Sequence, residues 1–188
     1  MPLDLPSYIQ ERIVCSIAAA AKYDIPANVV LAVAEKENGR PGQWVRNSSN
    51  GSHDVGALQF NTNYLRELAQ FGIGPSHVAA AGCYPFDLAA WRLRKHIKND
   101  KGDLWTRAAN YHSRTPQFNQ VYRADLMKRA ARWADWLSAR YATHDVSTLE
   151  ETPRVGLAPT ARSKPLSMAR WKTPSAYVQR KLIIEGQQ

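Results

Sequence analysis

The sequence predicts a mainly α fold, an irregular orthogonal helical bundle with a groove. Apolar residues recur three or four apart through most of residues 1–141, turn-prone clusters cut that pattern into short helices, and no alternating strand pattern competes strongly. The first helix is expected over residues 7–22, where Ile9, Ile13 and Ile17 share a face and Ser7 with Gln10 matches a capping box. Pro26 suits the first turn of a second helix that runs to Glu37 and stops at Asn38-Gly39. Only Ser52 to Phe60 has the character of a short hairpin or extended piece. Asn61 or Thr62 caps a helix reaching Phe71, which Gly72-Ile73-Gly74-Pro75 ends. Asp87 is placed to cap a segment bearing Leu88, Trp91, Arg94, Lys95 and Ile97. Asp103 opens another toward Tyr111, and Thr115-Pro116 starts a long helix with Val121, Leu126, Ala130, Trp133 and Leu137 as its apolar positions.

The second helix carries the chemical signal. At about 100° per residue, Val29, Val30 and Val33 share a face, Glu37 falls near its middle and Glu35 points roughly the other way. A carboxyl on a buried face loses solvation, its pKa rises, and it can stay protonated near neutral pH as a proton donor. Position alone also fits an ordinary solvated helix end. The following segment favours the donor, because the polar run from Asn47 to Gly56 cannot form a core and returns to Val55, Ala57, Leu58 and Phe60 with Gln59 and Asn61 interleaved. A polar loop beside a half-buried acid is a common way for a rigid scaffold to line a cleft.

Composition narrows the class. With 188 residues, 44% of them hydrophobic, the chain can bury one core and carry an extension, but two full domains would be cramped. A net charge of +9 favours encounter with polyanions, whether nucleic acid, an anionic membrane surface or an acidic wall polymer. Lys and Arg are dispersed and form no nucleic-acid motif, so direct nucleic-acid binding is not expected. No stretch approaches the roughly 20 apolar residues that span a bilayer. Ser52, His53 and Asp54 are consecutive and diverge in a turn, so they do not make a catalytic triad. His53 and His112 lack partners at metal-ligand spacing, so no metal and no cofactor is expected.

E-N-G at Glu37 to Gly39, N-G-S-H-D-V-G-A-L-Q at Asn50 to Gln59 and A-N-Y-H-S at Ala109 to Ser113 resemble, in order and spacing, the motifs of the soluble lytic transglycosylases. The closest resemblance is to the small members that accompany type IV secretion, conjugation and type IV pilus machines, and it covers roughly residues 13 to 137. This chain departs from the usual pattern at Asn38, where serine is common, and in Gly-Ala-Leu-Gln at Gly56 to Gln59, where Gly-Leu-Met-Gln is common. The resemblance implies a lysozyme-like fold and cleavage of peptidoglycan between N-acetylmuramic acid and N-acetylglucosamine, with a 1,6-anhydro product. It makes Glu37 the single catalytic acid and Gln59 a hydrogen-bonding partner for an N-acetyl group. Tyr111 is then either a residue that holds the Glu37 carboxyl or a buried ring. Ser52, Asp54 and Asn61 are candidate sugar contacts, although Asp54 suits a turn-fixing role better and Asn61 a helix cap. Two alternatives stand beside this activity: a non-catalytic peptidoglycan-binding assembly factor and a hydrolysing goose-type lysozyme.

Cys15 and Cys83 read most simply as two buried thiols. In the family, cysteines at these places often pair, so the resemblance implies a Cys15–Cys83 disulfide and an oxidising compartment, the periplasm or cell envelope. No export signal is visible in this chain: Asp4, Glu11 and Arg12 precede the apolar stretch from Ile13 to Ala21, and no basic start region appears. The alternatives are a leader removed upstream of this numbering and carriage inside a phage virion. Residues 142–188 form an extension basic through Arg154, Arg162, Lys164, Arg170 and Lys172, in which Pro153, Pro159, Pro165 and Pro174 bar a continuous helix. A final helix with Tyr177, Val178, Leu182 and Ile183 is expected on a partner, a component of a secretion, conjugation, pilus or phage machine, with a terminus of no consequence as the other reading.

Overall fold

The structure, a computed structural model of the chain, describes residues 5–145 and the backbone of 180–182. Among these residues there are seven α-helices and two small antiparallel sheets. Helix α1 spans Ser7–Tyr23 and α2 Ala27–Glu37; strands β1 Trp44–Arg46, β2 His53–Val55 and β3 Phe60–Asn61 follow. Then come α3 Thr62–Leu68 with a 3-10 turn to Phe71, α4 Pro75–Ala79, α5 Tyr84–Asn99, α6 Leu104–Ala109 and α7 Pro116–Ser138. Strand β4, Thr143–Asp145, pairs antiparallel with β5, Arg180–Leu182.

Helix α2 is the axis of the bundle. Every residue from Ala27 to Ala34 is buried, so the helix is enclosed on all sides by α1, α5 and α7. Asn28, fully buried on α2, donates to the Ala130 carbonyl of α7 at 3.2 Å, a hydrogen bond that satisfies a polar group inside the core. The chain turns after α2 because Asn38 takes the left-handed conformation at φ +49°, and its side-chain oxygen accepts from Arg12 of α1 at 3.1 Å. Asparagine tolerates that conformation better than most residues.

The three-stranded sheet has the order β1-β2-β3, with Trp44 opposite Val55 and Val55 opposite Phe60. Val55 and Phe60 are fully buried, while the outer strand β1 is exposed. Cys15 and Cys83 form a disulfide that ties α1 to the residue preceding α5. No helix among the described residues is long and apolar enough to cross a membrane.

Several local expectations are corrected. Ser7 lies inside α1 and makes no cap; Pro6 stands at the N-cap and Gln10 donates to the Leu5 carbonyl instead of completing a capping box. Helix α5 begins three residues before Asp87, at Tyr84-Pro85, and the Asp87 carboxylate accepts from Lys22 and Tyr23 of α1. Proline supplied that earlier start, since a first-turn residue needs no amide hydrogen. Val121 is 73% exposed, because the buried stripe of α7 runs through Asn119, Tyr122, Leu126, Ala130, Ala134 and Leu137. Leu182 belongs to a strand and not to a helix, paired with residues far back in the chain, a contact that local periodicity does not register. Tyr177, Val178, Ile183 and the basic residues of the extension lie outside the described residues.

Candidate active site

Helix α2 delivers two glutamates into opposite surroundings. Glu35 and Glu37 are two residues and about 200° apart on the helix. Glu35 accepts from Arg129 at 2.7 Å, from Arg132 at 3.0 Å and from the Trp133 indole at 2.8 Å, all on α7. Among the described residues no cation is bonded to Glu37 in this way. Its Oε1 accepts a 2.6 Å hydrogen bond from the Tyr122 hydroxyl, and Lys36 beside it is drawn away to Asp125 at 2.7 Å. Desolvation raises the Glu37 pKa from the ordinary 4.5 to about 7, a rise reinforced by the charge of Asp54 and opposed by the Tyr122 hydrogen bond and the charges of Arg92 and Lys36. A carboxyl at that value holds its proton at mildly acid pH and releases it just above neutrality, the range required of a group that must both give and take a proton.

Two cavities meet at this carboxyl. One, of about 280 Å³, is polar and is lined by Asn47, Asp54, Gln59, Asn61, Arg92 and Tyr111 together with Glu37 and His112. The other, of about 260 Å³, is mostly apolar, with Phe118, Val121, Tyr122 and Lys36 along its wall and again Glu37 and His112. The His112 ring stacks on Tyr122, centroids 4.8 Å apart and planes 3° from parallel, and burial lowers the pKa of its imidazole. The acid therefore stands on a divide, with hydrogen-bonding groups on one side and apolar surface on the other.

Backbone packing explains why glycines flank the site. The Gly39 amide donates to the Ala57 carbonyl at 3.1 Å, and a β-carbon at Gly39 would stand 2.1 Å from the Gly56 carbonyl oxygen. Gly56, at φ +73°, runs so close to Val78 that a β-carbon would stand 2.0 Å from its carbonyl oxygen. Between them these contacts press the end of α2 against the loop that carries Gln59. Gln59 is itself held in the left-handed region at φ +49°, with its side-chain nitrogen donating to the Gly56 carbonyl at 2.8 Å. A non-glycine residue in that region costs energy and persists only where its surroundings enforce it.

The predicted residues fall in two groups. Gln59, Asp54, Asn61 and Tyr111 line the polar cavity with Glu37. Asn61 also caps α3, accepting from the Asn63 amide at 2.9 Å while its amide nitrogen donates to Asp54 and Ser52, each at 2.8 Å. Asp54 is thereby a residue of the β2–β3 pair and not of a turn. Ser52 is corrected: it is buried behind the cavity wall, bonded to Asn50 and Asn61, and lines neither cavity. Tyr111 does not hold the acid. Its hydroxyl donates to the Leu58 carbonyl at 3.4 Å, and its ring and that of Tyr64 lie against the Arg92 guanidinium at 4.6 and 4.1 Å.

Tyr122, Arg92 and Asn47 were not anticipated. For Tyr122 a signal existed: it lies four residues before Leu126 and eight before Ala130, in phase with the buried stripe, whereas Val121 is about 140° out of phase with Leu126. Among the described residues no three His, Cys, Asp or Glu side chains are grouped to hold a metal ion.

Comparison with known proteins places the chain among distant relatives. No family model matches it. It is similar to Protein IpgF of Shigella flexneri, 28% identical over 124 residues that cover 64% of this chain and 81% of that protein. It is also similar to Invasion protein IagB of Salmonella typhi, 23% identical over 146 residues that cover 77% of this chain and 86% of that protein.

Proposed function

We propose that this protein is a peptidoglycan lytic transglycosylase of lysozyme-like fold, with Glu37 as its single catalytic residue. The observation that carries the reading is a desolvated glutamate, hydrogen-bonded by Tyr122 and titrating near 7, at the junction of two cavities that together could take consecutive sugars. Protonated Glu37 gives its proton to the glycosidic oxygen between N-acetylmuramic acid and N-acetylglucosamine as the bond to C1 breaks. The resulting carboxylate takes the proton of the muramic 6-hydroxyl, whose oxygen bonds to C1 and closes the 1,6-anhydro ring. No water is consumed, and the glutamate ends the cycle protonated as it began. Ordinary glycosidases use a second carboxylate. Asp54, the acid that shares the cavity, is engaged by Asn61, which supports a mechanism with one.

Gln59 and Asn47 line the polar cavity with amides suited to the N-acetyl and hydroxyl groups of the strand, Asn61 braces that wall through Asp54 and Ser52, and Arg92 supplies a fixed cation. The disulfide supports work in the periplasm or cell envelope, where thiols oxidise, with a phage virion as the alternative setting. That one relative is named an invasion protein is in keeping with local opening of the wall for a secretion, conjugation, pilus or phage machine. Mass spectrometry of the soluble products from purified peptidoglycan tests the proposal. Anhydromuropeptides released by the wild type and absent with Glu37→Gln support it. Products heavier by one water point to a hydrolysing lysozyme, and binding without release, equal in both proteins, points to an assembly factor.

A further inference from the structure

The segment between α6 and α7, residues 110–115, brings Tyr111 and His112 to the acid yet belongs to neither helix. A single carboxylate fastens it. Asp100, at the C-cap of α5, accepts from Asn110 at 2.8 Å and from Arg114 at 3.0 and 3.3 Å, and its Oδ2 lies 2.7 Å from Nδ1 of the buried His96. Asn110 in turn accepts from Asn119 of α7 at 2.8 Å, and the same Asn119 nitrogen reaches the Ser113 carbonyl at 3.2 Å. Both ends of the segment are thus bonded to one anion, and none of these residues lines either cavity beside Glu37.

We propose that Asp100 is a positioning residue for Glu37, acting through Asn110 and Arg114 on the segment that holds His112 against Tyr122, and through Tyr122 on the carboxyl itself. The inference rests on the reading of Glu37 as the acid. The links are Asp100 to Asn110 at 2.8 Å, the backbone from Asn110 through Tyr111 to His112, the His112–Tyr122 stack at 4.8 Å, and Tyr122 to Glu37 at 2.6 Å. Desolvation would raise the Asp100 pKa, but hydrogen bonds from Arg114, His96 and Asn110 hold it at about 2, so the anchor stays ionised throughout the range in which Glu37 titrates. A displacement near 1 Å at a reacting group can cost about 100-fold in rate, which makes a rigid anchor on an otherwise irregular segment consequential.

The test uses the full chain with Asp100→Asn, and with Arg114→Ala as a second variant, whose side chain is two-thirds exposed and therefore spares the fold. On purified glycan strands, kcat is expected to fall about tenfold with KM within about twofold. Adding Asp100→Asn to His112→Ala should bring no further loss, since both act on one contact. Carbon-13 NMR of the Glu37 carboxyl in the ligand-free protein is expected to show its titration moving to higher pH, because the Tyr122 hydrogen bond that favours the ionised form is loosened. The groups that face it, Tyr122, Arg92, Asp54, Lys36, Tyr111 and His112, are unchanged in sequence in the single variants. Losses that multiply in the double variant, or an unmoved Glu37 titration in both single variants, overturn the proposal. If the wild type releases no product, the lytic reading fails, and the NMR titration still decides whether Asp100 positions the carboxyl.

Discussion

Replacing Glu37 with glutamine should abolish cleavage and, above neutral pH, make the protein more stable. A carboxyl whose pKa moves from 4.5 unfolded to about 7 folded disfavours its ionised form in the native state by about 3 kcal/mol, at about 1.4 kcal/mol per pH unit. Water at the cavity mouth reduces that to between about 1 and 3 kcal/mol. The sign follows from proton binding. Between about 4.5 and 7 the native state holds a proton that the unfolded chain has released, so stability falls as pH rises through that window and stays reduced above it. Glutamine does not titrate, and its amide oxygen can still accept from Tyr122. Urea unfolding of both proteins at pH 4 and pH 8, with the m value checked for constancy, isolates the effect because every other titrating group cancels in the difference. The variant should match the wild type at pH 4 and exceed it by about 1–3 kcal/mol at pH 8. An equal gap at both values, or a wild type that is more stable at pH 8, would refute the claim that Glu37 is desolvated.

Tyr122→Phe removes a hydrogen bond that favours the ionised Glu37; the upper limb of the pH–rate profile should move to higher pH, the maximal rate should drop about tenfold, and stability should fall by about 1–2 kcal/mol in thermal unfolding. Cys83→Ser opens a covalent loop with a sequence separation of 68 and should cost about 4 kcal/mol in denaturant unfolding by the loop-closure estimate, with the wild type in reductant showing a similar loss. Gly39→Ala places a β-carbon 2.1 Å from the Gly56 carbonyl oxygen, so the loop must shift; a stability loss of about 1–3 kcal/mol should accompany a loss of turnover larger than that of any substitution on the exposed strand β1.

Helix phase was legible for α2 and for most of α7, with Val121 the misplaced position. The ends of α3, α6 and α7 follow from Asn61, Asp103 and Thr115-Pro116, and the opposed directions of Glu35 and Glu37 follow from 100° per residue. What a helix meets on the far side of the core was not legible. Tyr122 reaches Glu37 across 85 positions and Arg129 reaches Glu35 across 94, and no local pattern records such a pairing. Strands of two or three residues carry too few alternations to announce themselves, which is why β1 was missed. Ser52 shows a different failure. A motif position says that a residue matters near the site, but not whether it faces the cavity or, as here, braces the wall from behind by bonding Asn50 and Asn61.

The last turn of α2 places stricter demands on length than on composition. Removing or adding one residue between Ala27 and Glu35 would rotate everything beyond it by about 100°, taking the proton donor off the junction of the two cavities and breaking the register of the Arg129, Arg132 and Trp133 grip. Conservative exchanges among the valines upstream alter only packing volume. Insertions and deletions there should therefore be far more damaging than substitutions, and the spacing from Pro26 to Gly39 is a firmer criterion for recognising functional homologues than the identity of any apolar residue between them.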